Sequence, residues 1–138
     1  MKLAVIDASV AIKWFLVEEE TEEAMDLARA LLRRTVQGVV PELFYFEVFS
    51  VLVRKHHDPE YWANHGVSWL RNLPLKHVVF HNLPTTRMQY FAAQGLSGYD
   101  SAYAALADEL NIPWVTFDMK ASHILGQPNW IHTPRSAC

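Results

Sequence analysis

The chain has 138 residues, half of them apolar, and a formal net charge of −3. That size suits one domain with a real core, read here as a single domain over 1–138, and the composition fits neither a disordered nor a membrane protein. The mild acidity is unlike the strongly basic balance of a typical nucleic-acid binder, and it lowers the prospect of such a role without removing it. The longest nearly apolar run, Leu43 to Val53, is broken by Glu47 and is too short to span a bilayer. Lys2 ahead of apolar residues resembles a signal peptide, but Asp7 and Lys13 interrupt the run and no clear small-residue cleavage site follows. One cysteine, Cys138, cannot make an internal disulfide, which agrees with a reducing compartment. The expectation is a cytoplasmic protein with no membrane segment.

Leu3 to Ile6 reads as a short strand buried on both faces, followed at once by Asp7 and a helix over Val10 to Val17. A carboxylate at the carboxyl end of a buried strand stands where open α/β sheets place their ligands. Asp7 also suits a helix cap, and both readings stay open on this stretch. Acids crowd Glu18 to Asp26, a solvated helix start. Thr21 caps a helix to about Thr35, with apolar residues at helical spacing. Val39-Val40 reads as a very short strand ended by Pro41. The next helix, Glu42 to His56, is apolar nearly all round, which predicts burial against a sheet or against a second subunit. His56-His57 at its end suits the helix dipole better than a metal, and the seven histidines show no helical metal spacing.

Asp58-Pro59 starts a helix that Pro74 stops. His77 to His81 reads as a strand. Thr85 to Gln94 and the alanine-rich Asp100 to Leu110 read as helices. Trp114 to Phe117 is a strand with Asp118 behind it, then a short helix, a turn at Gly126 to Pro128, and an edge strand at Trp130-Ile131. Strands alternating with helices imply an α/β fold with a parallel sheet wrapped by helices.

Four carboxylates carry the chemistry. Glu47 lies in the most apolar helix, where a carboxylate is costly unless paired, hydrogen-bonded or metal-bound; the other reading is a solvated stripe with Ser50 and Arg54. Asp100 and Asp118 each suit a cap when taken alone. As a set, Asp7 and Asp118 at strand ends, with Asp100 and Glu47 on helices, line one crevice if the first and fourth strands are neighbours. Clustered carboxylates repel one another, and a hard divalent cation relieves the repulsion. No cysteine–histidine set suggests zinc. Mg²⁺ in such a pocket lowers the pKa of a bound water and neutralises phosphoryl charge, so the chemistry points to phosphodiester hydrolysis. Ser9 and Thr116 place hydroxyls two residues from Asp7 and Asp118, on the same face if both stand in strands. Lys13 and Lys120 sit near the crevice in sequence and suit phosphate contacts, or simple solvation.

Val-Ile-Asp-Ala-Ser-Val, Pro-Glu-Leu-Phe-Tyr-Phe-Glu, Tyr-Asp-Ser-Ala-Tyr-Ala-Ala-Leu-Ala and Val-Thr-Phe-Asp occur in this order along the chain. Together they resemble the PIN domain family, with the nearest likeness to VapC-type toxins of type II toxin–antitoxin systems. The resemblance implies a mainly parallel five-stranded sheet flanked by helices. It implies a Mg²⁺- or Mn²⁺-dependent endoribonuclease with Asp7, Glu47, Asp100 and Asp118 as its metal-binding acids, supported by Ser9 and Thr116. It further implies a homodimer and a cognate antitoxin that blocks the acidic pocket. Met119-Lys120 departs from the acid that many relatives carry after the last Asp, which puts a second metal site in doubt. The chain's acidity leaves phosphate contacts to local cations such as Lys13, Arg87 or Lys120. The general base stays unassigned. Two alternatives remain: a PIN nuclease of RNA processing or of DNA without an antitoxin, and a non-catalytic binding module. A receiver-like phosphoacceptor ranks last, because Glu47 sits in mid-helix.

Overall fold

In the computed structural model, residues 1–16, 21–55 and 58–137 are described. The expected features at Val17, at Glu18 to Glu20, at His56-His57 and at Cys138 lie outside the described residues.

The core is a five-stranded parallel sheet in the order β3-β2-β1-β4-β5. Strand β1 (Lys2–Ile6) occupies its centre, and Ala4, Val5 and Ile6 are buried. Helices on both faces explain why β1 reads as an apolar run rather than an alternation. To one side lie β2 (Val36–Pro41) and β3 (Leu75–Val78); to the other lie β4 (Trp114–Val115) and β5 (Ile131–His132). The strand order therefore reverses between β1 and β4, whose register pairs Val5 with Trp114 and Ile6 with Val115. The amide of Asp7 continues that ladder, donating to the Val115 carbonyl at 2.9 Å.

Several strand bounds differ from expectation. β2 starts at Val36 rather than Val39, because β1 pairs along it from Lys2 onward. β3 covers Leu75–Val78 rather than His77 to His81. It stops where β2 stops: Pro41 pairs with Val78, and the Glu42 carboxylate then takes the Phe80 amide at 2.8 Å, turning the chain into a 3₁₀ turn at Phe80–Asn82. β4 holds two residues, so Thr116 lies past the strand and not within it.

Helix α1 (Ala8–Ile12) is shorter than expected. α2 (Thr21–Leu32) buries Ala24, Leu27, Ala28 and Leu31. α3 (Leu43–Lys55) is covered by this chain on one side: Phe44, Val48 and Leu52 face inward at spacings of four, while Phe46 is 72% exposed and Phe49 and Val53 are also exposed. A short helix α4 (Pro59–Tyr61) leads through a π-helical turn, Trp62–Gly66, into α5 (Val67–Asn72). α6 (Thr85–Ala93) packs on α7 (Gly98–Leu110), and α8 (Lys120–Ile124) and α9 (Pro134–Ala137) complete the chain. α7 is buried from Ser101 to Ala107, its alanines letting it lie close against β1, β2 and β4. Among the described residues no helix is long and apolar enough to cross a membrane.

Gly66 is set by packing. A Cβ there would stand 1.7 Å from the ring of Trp62, which is 1% exposed and packs edge-on against Phe15 at 4.3 Å. Gly66→Ala should therefore force Trp62 out of place and destabilise the fold by about 1–3 kcal/mol, read as a lower midpoint in urea unfolding.

Candidate functional site

The four carboxylates come from four separate parts of the fold: Asp7 and Asp118 follow the carboxyl ends of β1 and β4, and Glu47 and Asp100 stand on helices within reach of their charges. Asp7 is the first residue past β1. Its backbone is extended and it caps α1, with Oδ2 accepting from the Ser9 amide at 2.9 Å. Its other oxygen, Oδ1, accepts from the Trp114 indole Nε1 at 3.2 Å. Cap and crevice residue are thus the same side chain. Asp7 is 8% exposed, and burial pushes its carboxyl up, against the pull of hydrogen bonds from Ser9, Trp114 and Thr116.

Glu47 reaches in from the middle of α3. Its Oε1 accepts from the Tyr103 hydroxyl at 2.8 Å. Burial above all, with the Asp7 and Asp100 charges adding, pushes its carboxyl up to about 7, while Tyr103 opposes the shift. Asp100 stands in the first turn of α7, but it is not the cap. Ser97 caps α7, its Oγ accepting from the Asp100 amide at 3.0 Å. The Asp100 carboxyl is raised by burial and then by the charges of Asp7 and Asp118; Ser97 and Lys120 pull it down. Asp118 is exposed beyond β4, and its Oδ1 accepts from the Lys120 amide at 3.0 Å. Asp7 acts on both Glu47 and Asp100, and Asp118 on Asp100, so the four form one electrostatic group.

Two hydroxyls tie the crevice walls together. The Oγ of Ser9 lies 3.2 Å from the Oγ1 of Thr116, which is fully buried. The Ser9 hydroxyl accepts from the Phe117 amide at 3.1 Å, and the Thr116 hydroxyl accepts from the Asp118 amide at 2.9 Å. The shared strand face expected for these residues is absent, since Ser9 is in α1 and Thr116 follows β4. They meet across the chain instead, and together they hold the segment that carries Asp118.

Among the cations, Lys120 is exposed and its charge reaches Asp100. Lys13 is half-buried, with Nζ 5.0 Å from the centre of the Phe117 ring. Arg87 is not beside the crevice. Its Nε donates to Asp108 at 2.5 Å, near the far end of α7, eight residues or roughly 12 Å of helix from Asp100. Trp114, Tyr103 and Ser97 join the expected residues, each through a hydrogen bond to Asp7, Glu47 or Asp100. Tyr103 lies three residues after Asp100, hence on the same helix face, and Ser97-x-x-Asp100 has capping-box spacing; both signals are visible in the sequence.

A hard, all-oxygen, anionic donor set suits Mg²⁺ or Mn²⁺. Among the described residues no three His, Cys, Asp or Glu side chains close on one point.

The family model described as "PIN domain" matches residues 4–124, and the chain belongs to the PIN domain family. PIN domains are nucleases and generally use divalent metals. No curated protein matches the sequence. Similar solved structures include a toxin–antitoxin complex from Klebsiella pneumoniae, with TM-score 0.66 and 18% identity over 95% of this chain and 97% of that one. A protein of Pyrobaculum aerophilum gives TM-score 0.68 at 18% identity, covering 99% of this chain and 93% of that one. VapBC2 of Rickettsia felis, solved with a fragment of its promoter DNA, gives 0.66 at 13% identity over 94% and 96%. At such identities the likeness is one of fold.

Proposed function

We propose that this chain is a Mg²⁺- or Mn²⁺-dependent endoribonuclease, the toxin of a VapBC-like type II toxin–antitoxin pair. The observation that carries the reading is the grouping of Asp7, Glu47, Asp100 and Asp118 where the strand order reverses, with the three inner carboxyls raised by burial and those of Glu47 and Asp100 raised further by neighbouring acids. Such a group is poorly stable as free anions and well matched to a divalent cation. The four carboxylates would hold the ion, which supplies a lowered water pKa and a counter-charge for the phosphoryl group. Ser9 and Thr116 keep the Asp118 segment in place. Lys120, and Lys13 with its Nζ over the Phe117 ring, would meet substrate phosphates in an otherwise acidic mouth.

The remaining parts of the reading follow from the same frame. The domain spans 1–138. The exposed apolar face of α3, with Phe46, Phe49 and Val53, is the kind of surface that a homodimer or an antitoxin contact would cover. A single cysteine suits a reducing compartment, and on that ground the protein is read as cytoplasmic.

The test is cleavage of a mixed RNA pool by purified protein in Mg²⁺ or Mn²⁺ and in EDTA, with single-stranded DNA in a parallel arm. RNA cut only with the metal is the expected outcome. DNA cut in preference to RNA would replace the substrate. Cleavage that survives EDTA would remove the metal mechanism.

A further inference from the structure

Two of the buried aromatic side chains touch the crevice from behind, and neither belongs to the acidic set. Trp114 is 1% exposed and Tyr103 fully buried. Their rings lie parallel, 1° apart in orientation, with centroids 5.8 Å apart. Each spends its one side-chain hydrogen-bond donor on a different carboxylate: the Trp114 indole on Asp7 and the Tyr103 hydroxyl on Glu47. The path from Asp7 through Trp114 and Tyr103 to Glu47 thus links β1, β4, α7 and α3. Tyr103 also sits one helical turn after Asp100, so the element that carries the third acid carries the brace.

We propose that Tyr103 and Trp114 are positioning residues that set the separation and orientation of Asp7 and Glu47 before any cation arrives. The inference rests on the metal reading above. Two carboxylates that repel each other rotate apart unless something fixes them. Asp7 is held at both oxygens, by Trp114 on Oδ1 and the Ser9 amide on Oδ2, which stops rotation about its last torsion. Glu47 is the longer and more mobile side chain, and Tyr103 pins one oxygen while leaving Oε2 for a ligand. Stacked, buried rings change rotamer far less readily than surface side chains, so the donors stay where they are. Groups that hydrogen-bond to a metal's ligands commonly change metal affinity by 10–100-fold when removed.

The experiment compares wild type with Tyr103→Phe and Trp114→Phe. Tyr103→Phe keeps the ring and removes only the hydroxyl. Calorimetric titration with Mn²⁺ should show affinity about 10-fold to 100-fold weaker in each variant. Melting in EDTA should stay within a few degrees of wild type for Tyr103→Phe, and KM for RNA should hold while kcat falls. Wild-type Mn²⁺ affinity in Tyr103→Phe would overturn the brace. If the wild type itself takes up no Mn²⁺, the metal reading fails, and the brace is decided on the metal-free crystal structure of Tyr103→Phe. There, Glu47 leaving its rotamer or splitting between conformers upholds the brace, and Glu47 unmoved overturns it.

Discussion

Asp7→Asn should reduce RNA cleavage by about 10³-fold or more while the protein still folds. Asp7 is the innermost carboxylate and the one whose charge acts on both Glu47 and Asp100. Losing its anion removes a ligand from the proposed ion, and an ion of this kind supplies several kcal/mol of transition-state stabilisation. At 1.36 kcal/mol per decade, several kcal/mol is a factor of about 10³. Stability should move little, because two effects oppose each other. Asparagine caps a helix as well as aspartate, so the Ser9 amide keeps its acceptor, and a buried charge disappears. Against this, the amide nitrogen would face the Trp114 indole donor, and one hydrogen bond is lost. Melting in EDTA beside a cleavage assay separates the two quantities. A variant with a melting temperature within a few degrees of wild type but without cleavage is the expected result. Unchanged cleavage would take Asp7 out of the chemistry.

The second large effect is on stability against pH in the metal-free protein. The Glu47 carboxyl has a folded-state pKa of about 7 against an ordinary value of 4.5, and Asp7 and Asp100 are raised as well. Between those limits the native state binds more protons than the unfolded state, so stability falls as pH rises. In EDTA the melting temperature should thus drop by several degrees from pH 4.5 to pH 7 and flatten above. Glu47→Gln, which carries no titrating proton, should reduce that slope. Millimolar Mg²⁺ at pH 7.5 should raise the melting temperature, because the ion binds only the folded set and removes its repulsion. A melting temperature that climbs through this pH window would mean that the carboxylates are not crowded in solution.

How far the sequence carries depends on how local each feature is. β1 and Asp7 are legible because an apolar run followed by an acid needs no partner to be recognised. The neighbouring of β1 and β4 was a condition for the crevice, and the sheet meets it. Strand ends were harder. β2 runs longer because β1 offers pairing groups from Lys2, and β3 ends early because Glu42, 38 residues away, captures the Phe80 amide. The composition of α3 marks it as apolar but cannot say which side the chain covers. Asp100 taken alone suits a cap, but Ser97, three residues earlier, is the residue whose hydroxyl serves the helix. Tyr103 and Trp114 were invisible as site residues for a different reason. Their roles exist only when side chains 56 and 107 residues apart, at Glu47 and Asp7, come within hydrogen-bond reach.

Anomalous diffraction from crystals soaked in Mn²⁺ bears most directly on the carboxylate set as a metal site. A peak between Asp7, Glu47, Asp100 and Asp118, lost in Asp7→Asn, is the expected result. A peak elsewhere on the surface, or none at a concentration that supports cleavage, would contradict it.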